Sequence, residues 1–257
     1  MIKEMEKNIY GGASLLYIAI VFLWALLGLL SINKGTSFFY SIVSGGVYYS
    51  SLLILCLILF KDTRSYWSFP EESKKMPVFI GHKLDTIFIY PILLMSLIGI
   101  ISNLLMASGV FSAPLQQANT GGRKAIELIP RIMLLPLAAF AEEFLNLLLV
   151  SFLYNKMKLQ RNFRLIGSIL SAALVFGILH SSGWGISAAI LIGISYIPVF
   201  FATLYTGNVW ISFLAHLYNN LISLTKSFYG SYHFILIAAI SLIPVVWAIK
   251  TMLRKTN

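Results

Sequence analysis

The chain has 257 residues, of which 58% are hydrophobic and 11% charged, against about 25% charged in an ordinary soluble domain. This composition excludes a soluble globular protein and describes a polytopic membrane protein. The net charge of +10 and the lone Cys56 exclude two further classes: the basic residues sit in short loops rather than on one face, which argues against nucleic acid, and one buried-looking thiol permits neither a disulfide framework nor a thiolate metal site within the chain.

A membrane-spanning helix needs about 20 mostly apolar residues. Apolar runs separated by polar punctuation predict eight of them, near 12–32, 38–60, 86–107, 129–153, 165–180, 186–206, 208–225 and 231–250. The first is too long for a signal-peptide apolar region and no small-residue cleavage site follows it, so it reads as a retained span. The fifth looks short for a full crossing, and only a tight "YTGN" turn separates the sixth from the seventh. With no internal repeat or low-complexity tract, residues 1–257 read as one all-α membrane domain.

Orientation follows from lysine and arginine in the short loops. Eight spans place Lys3, Lys7, the second loop (Lys61, Arg64, Lys74, Lys75, Lys83), the fourth loop (Lys156, Lys158, Arg161, Arg164) and Lys250, Arg254 and Lys255 on one side, fourteen in all. The other side carries Lys34, Arg123, Lys124, Arg131 and Lys226. This imbalance predicts a multi-pass cell-membrane protein with both termini cytoplasmic. The stretch "TRSYWSFPEESKKMP" interleaves basic and aromatic residues, as a loop resting on anionic headgroups would. Trp67, Trp184 and Trp210 fit an aromatic belt, and His82 and His233 read as interfacial residues near span ends.

Four ionisable residues then remain at membrane depth: Glu142 and Glu143 in the fourth span, His180 closing the fifth, and His216 in the seventh. Each such residue at a helix centre costs about 2.5–3.5 kcal/mol on insertion scales, so an adjacent acid pair in "AAFAEEFLNLLLV" is a functional candidate. Successive residues are about 100° apart on a helix, so one acid faces a reacting centre while the other supports it. Asn220 follows His216 by one turn and shares its face, and Phe176 precedes His180 in the same relation. A lone histidine can equally be a satisfied core residue and "HLYNN" alone an interhelical hydrogen bond, whereas the acid pair is the stronger signal because intramembrane acids face cavities or partners. Together, two acids, two histidines and an amide on three helices can supply a general base, a proton shuttle and oxyanion donors. Neither a G-x-S-x-G nor an H-E-x-x-H signature is present.

The order "EEFLNL", "FGILH", "HLYNN" resembles the three motifs EExxxR, FxxxH and HxxxN/D of the CPBP family, the CAAX-type intramembrane endopeptidases and bacteriocin-processing or bacteriocin-immunity (Abi) proteins. The resemblance covers roughly residues 129–222. Motifs two and three match in full, whereas Leu147 stands where motif one has arginine. The resemblance implies a polar intramembrane cavity enclosed by the fourth to seventh spans and a peptide or membrane-protein substrate presented at the bilayer. It implies that Glu142 activates a water with Glu143 assisting, that His180 positions that water or relays its proton, and that His216 and Asn220 stabilise the oxyanion.

No cofactor is expected on this reading. The alternative is a zinc ion held by Glu142, His180 and His216, since one carboxylate and two imidazoles can bind it. Asn220, a poor zinc ligand and a good oxyanion donor, favours metal-free water activation. Two other classes compete: a non-catalytic bacteriocin-immunity or regulatory protein of the same fold, and a transporter using the acids as a proton relay. The first two spans carry no ionisable residue at depth, which argues against the transporter.

Overall fold

The computed structural model describes residues 2–7, 9, 15–32, 38–59, 78, 81–111, 128–181 and 185–229. The expected eighth span, His233, Trp67, Trp184, and the basic residues of the C-terminus and of 61–75 lie outside these residues. Everything regular that is described is helical, with no strand among the described residues.

A six-residue helix, α1 (Ile2–Lys7), is followed by α2 (Leu15–Ile32) and α3 (Phe38–Leu59). A single turn at His82–Leu84 and a π-helical segment at Asp85–Ile89 lead into α4 (Tyr90–Ala107). Four long helices complete the described chain: α5 (Leu128–Lys156), α6 (Arg161–Leu179), α7 (Ile186–Thr206) and α8 (Trp210–Tyr229). The first seven expected spans thus each correspond to a helix. By length and composition, four described segments can cross a membrane: 85–107, 132–156, 161–179 and 186–206.

The fifth span is a correction. It is not short: α6 runs for 19 residues because its first turn incorporates the polar "RNFR" that hydropathy assigns to the loop. The tight turn after α7 is present and has a clear cause. Gly207 adopts a left-handed conformation (φ 67°) that closes the helix, and the Asn208 side chain accepts the Trp210 N–H at 2.8 Å, capping α8.

Helix α5 is the axis of the fold. From Ala141 to Ser151 every residue except Glu142 is buried, since α3 covers one flank and α6 and α8 the others. A helix apolar nearly all round belongs in a bundle interior, and this is the stretch that carries the acid pair. Side chains such as Leu23, Val47, Ile58, Leu104 and Leu174 stay exposed on the outer helices, forming the lipid-facing surface. The α6–α7 crossing is close because a Cβ at Gly177 would collide with the Ala189 carbonyl, and one at Gly193 with that of Ala173. Small residues letting backbones approach are the usual basis of membrane helix packing, and here they bring the end of α6 beside the middle of α7.

Two polar ties fix the periphery. Glu6 of α1 accepts hydrogen bonds from Arg161 and Tyr154, and Arg164 donates to the Tyr154 hydroxyl at 2.7 Å while lying 4.1 Å from its ring. The N-terminal helix is therefore tied to the α5–α6 connection. On α8, Tyr218 donates to the Ile87 carbonyl at 3.0 Å. A π turn shifts the backbone ladder by one residue and so leaves a carbonyl for an outside donor.

Candidate functional site

The acid pair, both histidines and one further side chain meet inside the bundle. Glu142 and Glu143 come from the centre of α5. His180 is the residue that closes α6, where its N–H bonds back to Gly177. His216 lies two turns into α8. Phe176, 2% exposed, is the packing centre: its ring is 4.5 Å from that of His180, 4.4 Å from Tyr196 and 6.2 Å from His216. The apolar member of "FGILH" thus orients three polar rings at once.

Glu143, 2% exposed, is the deeper acid. Its Oε1 accepts from the Tyr196 hydroxyl and lies 3.0 Å from His216 Nδ1, and the same hydroxyl is 2.7 Å from that nitrogen. Two oxygens, Glu143 Oε1 and the Tyr196 hydroxyl, stand at Nδ1; with these accepting, Nδ1 carries the His216 proton and Nε2 lies on the opposite edge of the ring. His180 is oriented in the same sense. Its Nδ1 is 2.8 Å from the Phe176 carbonyl, which accepts only, so Nδ1 carries the proton and Nε2 points away from the helix.

Both free edges face one atom. Glu142 Oε2 is 3.5 Å from His216 Nε2 and 3.7 Å from His180 Nε2. It is buried, with no hydrogen bond to the described residues. Three acceptors converging at this spacing are too far apart for direct hydrogen bonds and at the right separation for a proton donor between them, a water above all. No lysine or arginine is paired with either glutamate among the described residues.

Asn220 is the expected site residue that this cluster does not take up. It lies one turn beyond His216 on the same face of α8 and is half-buried, and it makes no hydrogen bond to the cluster. The tyrosine is the converse case. Tyr196 sits mid-helix in "LIGISYIPVFF", which reads as a small-residue packing helix, so nothing in its spacing marks the hydroxyl. Asn146, 3% exposed, also escaped notice as a motif spacer; both its amide atoms lack partners among the described residues. With Glu143, Leu147, Tyr196 and Thr203 it lines a small pocket between α5 and α7, behind the acid pair.

One carboxylate and two imidazoles suit zinc chemically. Among the described residues, no group of three or more histidine, cysteine, aspartate or glutamate side chains is arranged to hold a metal ion.

An all-helical, multi-pass membrane fold with an enclosed cluster of two glutamates and two histidines defines the class. Residues 124–222 match the family described as Rce1-like, type II CAAX prenyl endopeptidase Rce1-like, and this segment, which contains all three motifs, is similar to that family. No curated protein matches the chain. No solved structure matches it either.

Proposed function

We propose that the protein is an intramembrane endopeptidase of the CAAX-protease type, hydrolysing a peptide bond in a membrane-presented peptide or protein. The observation that carries this reading is the convergence of two imidazole Nε2 atoms on the buried carboxylate oxygen of Glu142. A water between these acceptors gives a proton to Glu142 as its oxygen adds to the peptide carbonyl carbon. Glu143 and Tyr196 hold His216 with Nε2 turned to the reacting centre. His180, held through Phe176, keeps the water in place. As the tetrahedral intermediate collapses, the C–N bond breaks and the proton held at Glu142 passes to the leaving nitrogen. Asn220, on the His216 face, would donate to the oxyanion when substrate enters, with His216 beside it.

The test is cleavage by the purified protein in lipid bilayers, with membrane-anchored peptides as substrates and the new termini read by mass spectrometry. Cleavage is expected in the parent, unchanged by a chelator, and lost in Glu142→Gln, which is nearly isosteric and should melt normally. Equal cleavage by the Gln variant, or none by the parent with any anchored peptide, would contradict the proposal. The second outcome would favour the immunity or regulatory reading, for which Leu147 in place of the motif arginine is the supporting observation. Zinc chemistry at Glu142, His180 and His216 would instead show as loss of cleavage with the chelator.

We also place both termini in the cytoplasm, supported by the loop charges and by the Glu6 tie between α1 and the basic α5–α6 connection. Cysteines introduced near residues 5 and 255, in a variant lacking Cys56, should resist an impermeant thiol reagent in intact cells; labelling from outside would contradict this orientation.

A further inference from the structure

Glu143 poses a problem that the three motifs do not solve. A carboxylate 2% exposed inside a helical bundle needs donors, and the position one turn along α5 that could supply a cation is Leu147, itself 3% exposed. The donors come from across the bundle. The Tyr196 hydroxyl reaches Glu143 Oε1 and lies 2.7 Å from His216 Nδ1, so it touches both members of the acid–imidazole couple. A phenol has one proton and free lone pairs. The proton goes to the carboxylate, the strongest acceptor present, and a lone pair is left for Nδ1–H. The ring is locked between Phe176, stacked at 4.4 Å, and Phe200, edge-on at 5.9 Å. The close crossing at Gly177 and Gly193 sets the height of α7 relative to α6 and hence the height of the hydroxyl.

We infer that Tyr196 is a positioning residue: it anchors Glu143 in place of a basic side chain at 147 and, through Glu143, sets the orientation of His216. The inference rests on the hydrolytic reading of the site for its kinetic consequence, but not for the geometry. The hydroxyl and Leu147 border one pocket, together with Glu143 and the unpartnered amide of Asn146. A donor introduced at position 147 of α5 would therefore approach the same carboxylate that the α7 hydroxyl already meets.

The experiment is a small cycle with Tyr196→Phe, Leu147→Arg and the double variant, read by kcat and KM separately. Tyr196→Phe should lower kcat roughly 10- to 100-fold, the scale of a lost orienting contact, with KM within about twofold. Adding Leu147→Arg should recover a large part of that loss, which a purely space-filling tyrosine would not permit. Normal kcat in Tyr196→Phe would overturn the inference, as would a loss that follows a lowered melting temperature and is not rescued. A second readout needs no turnover: the ring nitrogens of ¹⁵N-labelled His216, observed by solid-state NMR in bilayers, should shift on Tyr196→Phe, and an unchanged His216 signal would also overturn it. If Glu142→Gln retains activity, the hydrolytic reading fails while the NMR result still decides the role of Tyr196. If Glu142→Gln is dead and Tyr196→Phe is normal, only the tyrosine inference fails.

Discussion

The molecule holds glutamates in two contrasting settings. At the rim, Glu6 is met by Arg161 and Tyr154, with Arg164 behind the tyrosine. In the interior, Glu142 and Glu143 meet two imidazoles and one phenol, with no lysine or arginine beside them among the described residues. The rim acid has a permanently charged partner in Arg161, and it serves as a clasp between α1 and the head of α6. The interior acids have imidazole partners, each with one ring nitrogen that can accept a proton. One of their oxygens, Glu142 Oε2, is left for something that enters. On the proposed reading, the same residue type is structural at the rim and chemical in the interior.

The comparison breaks most visibly at the histidines. Replacing His180 or His216 by alanine should lower turnover by about 10²–10⁴-fold, the range for a positioned acid–base group, while substitution at Arg161 should leave kcat unaltered. Rates are measured on bilayer-reconstituted protein. A milder change sharpens the contrast by importing the rim's chemistry into the interior. Leu147→Arg gives Glu143 a second anchor beside Tyr196 and should raise turnover in the parent less than it does in Tyr196→Phe, provided the guanidinium meets the carboxylate rather than lipid; a fall in kcat with normal folding would show that the interior works best without a cation.

The smallest effect belongs to the clasp. The hydrogen bond from Arg161 holds the Glu6 carboxyl below its ordinary value of 4.5, outweighing the desolvation that acts in the other direction. A group with a lowered folded pKa contributes stability in full above the unfolded value and loses it as pH falls through the folded one. The parent should therefore lose melting temperature below about pH 4.5, by no more than a few degrees because Arg161 is half-exposed to solvent. Glu6→Gln should start lower by that amount and lack this component of the acid dependence.

Much of this architecture was readable from the residues because a bilayer makes strong demands. Seven described helices answer to their apolar runs, four of them long and apolar enough to cross a membrane, and an isolated acid pair at depth has few uses. What hydropathy misplaced was the start of α6, since arginines at a membrane surface belong to a helix as readily as to a loop and snorkel outward. Within the cluster, Glu142, Glu143, His180 and His216 stood out because their charge is costly in hydrocarbon. Tyr196 and Asn146 did not, because a hydroxyl or an amide is cheap enough to be common in bundles, and only the pairing across helices reveals what it does. Asn220 shows the limit from the other side: its register with His216 is plain in "HLYNN", yet a shared helical face did not join it to the cluster.

The central claim, that the interior carboxylate performs chemistry while the rim carboxylate performs anchoring, is tested most directly by measuring kcat and melting temperature side by side for Glu142→Gln and Glu6→Gln. The account predicts a crossed result: Glu142→Gln abolishes turnover and keeps the parent's melting temperature, whereas Glu6→Gln keeps turnover and lowers the melting temperature slightly. Full activity in Glu142→Gln, or a loss of activity in Glu6→Gln as deep as in Glu142→Gln, would contradict it.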